Sequence, residues 1–317
     1  MSSTEESARP ASASEGSAAR APLGSVVAAY VSVTKPRIIE LLLVTTVPTM
    51  ILAAGGWPPL GVAVAVVIGG ALAAAGANTF NSVYDRDIDA LMARTHHRPL
   101  VTGAVSVRGG LVLASLLSLA SVAVLAALAN ALAALLAVAA IAFYAVGYTM
   151  LLKRRTPQNI VWGGAAGCMP VLIAWAAVTG SLSWTPVVLF MIVFWWTPPH
   201  YWPLSLRYRE DYAAAGVPML PVVADARSVS RSIVIYSWAM VLTSILLIPI
   251  APMGIVYSVS AVVLGAIFVI EAHRLRRRAI ADDAELRPMR LFHWSITYLA
   301  LLFLAVAVDP FVASWVA

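Results

Sequence analysis

Residues 41–89 read LLLVTTVPTMILAAGGWPPLGVAVAVVIGGALAAAGANTFNSVYDRDID. From Leu41 to Tyr84 there is no charged side chain, and then Asp85, Arg86, Asp87 and Asp89 arrive together. A helix crossing a bilayer needs about 20 apolar residues. The charge-free part is long enough for two such helices, and Gly55-Gly56-Trp57-Pro58-Pro59 near its middle supplies turn residues. The abrupt return of charge marks where the second helix leaves the apolar phase.

The same pattern recurs along the chain. Further charge-free runs cover 109–152, 156–206, 232–270 and 291–308, with lengths of 44, 51, 39 and 18 residues. The three longer ones are interrupted near Asn130, at Thr179-Gly180-Ser181-Leu182-Ser183, and from Pro249 to Gly254. Four helical hairpins and a closing helix follow: an all-α membrane protein of nine transmembrane helices. Composition points the same way. Hydrophobic residues make up 61% and charged ones 11%, against about 25% charged in a typical soluble chain, which excludes a soluble enzyme. The single cysteine, Cys168, excludes a disulfide framework and a multi-cysteine metal site.

The basic residues orient the bundle. The 21 lysines and arginines fall into five groups: four before the first span, four after span 2, three after span 4, four after span 6 and six after span 8. With nine spans all five groups share one face, which the positive-inside rule makes cytoplasmic. The N-terminus is then cytoplasmic and the C-terminus, beyond Asp309, outside. An error of one helix would put large basic clusters on both sides. The net charge of +6 therefore reflects topology and gives no reason to expect a nucleic-acid partner. Residues 1–25, rich in Ser, Ala and Gly, are expected to form a disordered cytoplasmic tail, and 26–317 a single intramembrane domain. The tail lacks the apolar core of a signal peptide, and Glu5, Glu6 and Glu15 do not suit a transit peptide. A bacterial plasma membrane is the expected location.

The segment NSVYDRDID carries the chemistry. If span 2 continues as a helix, Asn81, Asp85 and Asp89 repeat at i, i+4, i+8 and share one face. Like charges at that spacing destabilise a helix, and carboxylates near a membrane are costly, so a cation should offset them. One reading is a salt-bridge cluster with Arg86, Arg94 and Arg98. The reading favoured by three acids and an amide in nine residues is a Mg²⁺ site, since Mg²⁺ commonly bridges one or two carboxylates to substrate phosphates. Asp87, off the stripe, is expected to orient an arginine. A second polar patch, from His200 to Tyr212, follows span 6 on the same face. There Asp211 is a candidate ligand for a second Mg²⁺, Glu210 a ligand or an arginine partner, and Arg207 and Arg209 candidates for phosphate oxygens. Lys153-Arg154-Arg155 is a third basic group within reach. A Mg²⁺-diphosphate at the mouth of an apolar bundle suits a substrate with a charged head and an apolar tail. Phe143, Tyr144, Tyr148, Trp162, Trp175, Trp195 and Trp196 are candidates to stabilise an allylic carbocation.

The segment NSVYDRDIDALMARTHHRPL resembles the first aspartate-rich motif, N-x-x-x-D-x-x-x-D, of the UbiA-type intramembrane prenyltransferases. It is more closely similar to the form found in the protohaem IX farnesyltransferase (haem O synthase) branch of that family. YTMLLKRRTPQNIVWGGAAGCMPVLIAWAAVTG from Tyr148 and PPHYWPLSLRYREDYAAAGVPMLPVV from Pro198 resemble it too, and the likeness spans roughly residues 28–308. The resemblance implies a UbiA-type bundle with a cytoplasmic active site. It implies transfer of a farnesyl group from farnesyl diphosphate to a vinyl group of haem B, with water adding, to give haem O for haem-copper oxidases. It implies that Asn81, Asp85 and Asp89 hold the first Mg²⁺ and that Asp211 stands in the second aspartate-rich region, where this chain lacks the second aspartate of D-x-x-x-D. Arg94, Arg98, Lys153 and Arg207 become candidate diphosphate contacts. Tyr148 and His200 become substrate contacts, His200 as a candidate ligand to haem iron. Membrane lipid surrounds the enzyme in this reading, and a haem A synthase is a candidate partner.

Two alternatives differ in what they require. The form of the first motif and the Pro-His-Tyr-Trp segment argue against a UbiA-type enzyme acting on an aromatic or quinone precursor. A cation-dependent transporter calls for acids at the bilayer midplane, whereas these lie at helix ends. The topology has a direct test: reporter fusions at Ser181 and Arg277 should report opposite sides of the membrane, and the same side for both would refute nine spans.

Overall fold

The computed structural model describes residues 22–316 except 252, 283 and 284, and it describes no side chains at 38, 40, 41 and 313–316. Most of the expected tail, 1–21, lies outside the described residues. Its last residues, from Leu23, already belong to a helix, α1 (Leu23–Val33).

The long helices are α2 (Pro36–Ala54), α3 (Leu60–Tyr84), α6 (Val107–Leu128), α7 (Ala131–Ala142, continuing as a π-helix over Phe143–Leu152), α8 (Asn159–Thr179), α9 (Trp184–Arg207), α12 (Ala226–Ile250), α13 (Ile255–Ile280) and α14 (Pro288–Val316). Short helices α4 (Arg86–Leu91), α5 (Pro99–Thr102), α10 (Arg209–Ala214) and α11 (Leu220–Val223) fill the connections at the end where the charged segments lie. Among the described residues, seven helices are long and apolar enough to cross a membrane, and the chain is a multi-pass, all-helical membrane protein. α2 and α9 are outside that set. The apolar part of α2, Leu42–Ala54, is short, and α9, though continuous, carries Pro198, Pro199, His200 and Pro203 in its second half, which lowers its apolar character. For these two, the expectation of a span rests on the charge pattern.

The hairpin turns fall where the sequence interrupts itself. Gly55 (φ 64°) and Gly180 (φ 69°) end α2 and α8 in the left-handed conformation that glycine adopts without a Cβ penalty. Asn130 caps α7 and ties its turn to α8. Its Oδ1 accepts the Ala133 N–H at 2.9 Å and caps α7, while its Nδ2 donates to the Ala176 carbonyl at 2.7 Å.

Each long helix packs against the next in the chain, and α14 closes back on α2. Lipid tails are as apolar as leucine, so helix association here depends on close backbone approach and on interhelical hydrogen bonds. The α3–α6 contact shows both. A Cβ on Gly69 would meet Leu125 Cγ at 2.7 Å and one on Gly76 would meet Ser118 Oγ at 2.5 Å. Ser121 Oγ donates to the Gly69 carbonyl at 2.7 Å.

At the end remote from the charged segments, Asp309 of α14 is buried and caps α13 from outside. Its carboxylate accepts the Gly254 N–H and, at 3.0 Å, the Tyr257 N–H, which satisfies N–H groups that have no partner within the helix. Asp309→Ala should cost about 1–2 kcal/mol, as loss of a cap does. It should lower the thermal midpoint of the purified protein while leaving activity per folded molecule unchanged; an unchanged midpoint would refute the capping role.

Candidate active site

The aspartate-rich segment is not one continuous helix. α3 ends at Tyr84, Asp85 leaves helical geometry (φ −85°, ψ 3°), and α4 begins at Arg86. The i→i+4 ladder nonetheless carries across the break: Asp85 N–H donates to the Asn81 carbonyl at 2.9 Å and Asp89 N–H to the Asp85 carbonyl at 2.8 Å. The expected common face survives. Asn81, Asp85 and Asp89 are buried, Asp85 completely, while Tyr84, Arg86, Asp87 and Ala90 are exposed.

Buried carboxylates need partners, and each has one. Asp85 Oδ2 accepts from Lys153 Nζ and from Asn81 Nδ2 at 2.7 Å, with Arg154 3.4 Å from Oδ1. Asp89 pairs with Arg98 at 2.6 Å. Arg154 forks onto both oxygens of Asp87 at 2.7 Å, and that bond holds the Asp87 carboxyl down to about 2. So Asp87 orients an arginine, as expected. Arg86 turns back to the Val83 carbonyl and Arg94 to the Tyr212 hydroxyl, and neither forms an ion pair among the described residues.

Lys35 completes the cluster, and its role was not legible in the sequence, where it counts only as a basic residue before the first span. It caps α2 with a left-handed backbone (φ 56°) and donates from Nζ to Asn81 Oδ1 at 2.6 Å. Burial, with Arg98 and Lys153 nearby, brings its ammonium down to about 7. No local signal marks it, because it reaches Asn81 from 46 positions away.

These groups border a cavity of about 300 Å³. Four cations line it, Lys35, Arg94, Arg98 and Lys153, with Asn81 but a single carboxylate, Asp89. The site therefore suits a multiply charged anion. The π-turns of Phe143–Leu152 bring Tyr144, Tyr148 and Lys153 to this wall, and wide turns of this kind are frequent at functional sites. Thr149 accepts from Asn81 Nδ2 at 3.1 Å. Tyr201 and Tyr212, 2.8 Å apart through their hydroxyls, close another side. Of the aromatic candidates, Tyr144, Tyr148 and Trp196 face the cavity; Phe143, Trp162, Trp175 and Trp195 are not among its walls.

His200 also lines it, with its ring stacked between Trp196 (4.1 Å) and Phe292 (4.8 Å). Its Nδ1 lies 2.6 Å from Ser295 Oγ, whose own proton goes to the Phe292 carbonyl. A carbonyl can only accept, so Ser295 Oγ accepts from Nδ1–H and Nε2 keeps a free lone pair. Among the described residues Nε2 has no partner.

Two expected site residues are not brought in. Arg207 is exposed and absent from the cavity wall, as are Arg209 and Glu210. Asp211 is half-buried near Arg94, its side chain with no hydrogen bond or ion pair among the described residues, and it does not join Asn81, Asp85 and Asp89. The break after Arg207 explains this: Tyr208 interrupts the helix, and α10 starts at Arg209 in a new direction that turns Tyr212 inward. Among the described residues no three His, Cys, Asp or Glu side chains gather to hold an ion by themselves. Mg²⁺ commonly takes one or two carboxylates and completes its shell with phosphate and water; here the side-chain oxygens of Asn81, Asp85 and Asp89 accept from Lys35, Lys153 and Arg98, and Asp85 lies behind the cavity wall.

A second, mainly apolar chamber adjoins the first; Leu42, Tyr144 and Gly167 line both. It runs between α2, α3, α7 and α8 as far as Val66 and Ile173.

The UbiA prenyltransferase family pattern matches residues 42–296. A Nocardioides protein named protoheme IX farnesyltransferase is 59% identical over 306 residues, covering 96% of this chain and 98% of that one. One of the same name from Clavibacter sepedonicus is 58% identical over 282 residues, covering 89% and 92%. Among solved structures, a UbiA homolog from Aeropyrum pernix K1 superposes with a TM-score of 0.67 at 20% identity, covering 88% of this chain and 98% of that one. A UbiA homolog from Archaeoglobus fulgidus bound to GPP and Mg²⁺ gives 0.60 at 19% identity, covering 88% and 100%. At these identities the structures share the fold. By sequence and by fold together, the chain belongs to the UbiA prenyltransferase family.

Proposed function

We propose that this protein transfers the farnesyl group of farnesyl diphosphate to a vinyl group of haem B, with addition of water, giving haem O and diphosphate. The observation that carries the reading is the joining of a cation-rich polar cavity to an apolar chamber, a container for a ligand with a charged head and a long tail. Along α3 the chamber wall runs from Asn78 to Val66, about 18 Å at 1.5 Å per residue. The eleven main-chain bonds of an extended fifteen-carbon tail, each advancing about 1.25 Å along the zigzag, reach roughly 14 Å, so the wall is long enough for a farnesyl chain. The name borne by the relatives supplies the acceptor.

In this reading Asn81, Asp85 and Asp89 hold Mg²⁺, which when bound neutralises the leaving diphosphate. Lys35, Arg94, Arg98 and Lys153 take the remaining phosphate charge. Tyr144, Tyr148 and Trp196 border the space where the allylic cation forms and exclude water from it. His200 presents Nε2 to the haem iron, its tautomer held by Ser295. Asp211 acts through Arg94, and Arg207 serves topology. All nine long helices cross a bacterial plasma membrane, with the charged end and the active site cytoplasmic. The product's farnesylated haem is then available to a haem A synthase.

Membranes containing the protein, incubated with haem B, farnesyl diphosphate and Mg²⁺, should yield haem O by mass of the extracted haems, and none after chelation or in Asp85→Ala. Unchanged haem B with folded protein would sink the assignment. Lys35→Met removes a charge-assisted contact worth about 1.5–3 kcal/mol, so KM for the prenyl diphosphate should rise roughly tenfold to hundredfold. Arg207→Ala should stay within about twofold of the parent, as surface changes do; an equal loss in both variants would show that the cavity walls are misassigned.

A further inference from the structure

Glycine inside a helix costs about 1 kcal/mol relative to alanine, so a mid-helix glycine calls for a reason. Most of those here have one in packing. A Cβ on Gly163 would lie 2.2 Å from Tyr148, and one on Gly164 would lie 2.8 Å from Thr197. Gly69 and Gly76 are equally crowded against α6. Gly70 in α3 and Gly167 in α8 differ: a Cβ at either would meet nothing within 4 Å. Among the described residues, the other glycines with open space lie in turns or in the first turn of a helix. Neighbouring side chains thus give no reason for Gly70 and Gly167 to lack a side chain.

Both are partly buried and border a cavity. Gly167 lines the polar cavity and the apolar chamber alike, so it stands at their junction. Gly70 lines the chamber alone, and so lies farther from the polar cavity. A side chain at Gly167 would project into the passage; one at Gly70 would fill the chamber beyond it.

We propose that Gly167 and Gly70 are specificity-determining residues for prenyl chain length, Gly167 keeping the passage open behind the first isoprene unit and Gly70 leaving room for the last. The inference rests on the reading of the two cavities as head and tail sites, not on the identity of the acceptor.

The test uses the full chain, purified in lipid nanodiscs, with non-hydrolysable thiolodiphosphates of dimethylallyl, geranyl and farnesyl chains as binding probes. Haem turnover is measured in parallel with the natural diphosphates. Overpacking by a buried leucine costs about 1–3 kcal/mol, which is roughly a tenfold to hundredfold change in affinity. Gly70→Leu should raise the preference for geranyl over farnesyl by that factor. Gly167→Leu should raise the preference for dimethylallyl over both longer chains. Gly167→Ala and Gly70→Ala, which favour the helix, should retain or raise the thermal midpoint and show smaller shifts in the same direction. Equal weakening at all three lengths, or no change of preference in folded variants, would overturn the proposal. Binding that varies with chain length without any haem turnover in the parent protein would instead remove the acceptor assignment and leave this inference standing.

Discussion

Two carboxylates almost free of solvent, Asp85 and Asp89, sit where α3 gives way to α4, and their burial constrains the elements around them. Removing a charge from water costs several kcal/mol, and attraction in a low-dielectric surrounding returns that only with close partners. The partners come from distant parts of the chain: Lys153 from the end of the π-helix, Arg98 from the loop before α5, and Lys35, through Asn81, from the junction of α1 and α2. Three connections are thereby drawn to one end of the bundle, which is where the polar cavity forms.

The cations do more than balance the acids. Four of them line the cavity against one carboxylate, so its wall carries more positive than negative groups. Such a space favours a polyanionic headgroup without a dedicated cage for metal. The adjoining chamber is the more apolar: its walls are mainly Ala, Val, Ile, Leu and Met, with Thr46, Asn78 and Tyr144 among them. An amphipathic ligand is matched by this pair of cavities, whose common boundary is lined by Leu42, Tyr144 and Gly167.

Much of this architecture was legible in residue order. Hairpin turns at Gly55, Asn130 and Gly180 fall where charge-free runs are interrupted, because those residues cap or end helices whatever surrounds them. The face shared by Asn81, Asp85 and Asp89 follows from a spacing of four, and the ladder bridges the break at Asp85. His200 was singled out by Pro-Pro-His-Tyr-Trp and does line the cavity. The readings that failed concern direction after a break. Arg207 and Asp211 lie four residues apart, yet the interruption at Tyr208 leaves Arg207 exposed and brings Tyr212 to the wall instead.

The sequence by itself determined where the hairpin turns fall, which end of the bundle gathers charge, and that Asn81, Asp85 and Asp89 share a face, since periodicity, capping and the exclusion of charge from lipid act over a few residues. Only the tertiary structure decided that Lys35 meets Asn81, that Ser295 leaves Nε2 of His200 free, and that Gly167 stands between the two chambers. Each of these depends on segments tens of residues apart being pressed together by close helix packing, and no local pattern carries that information.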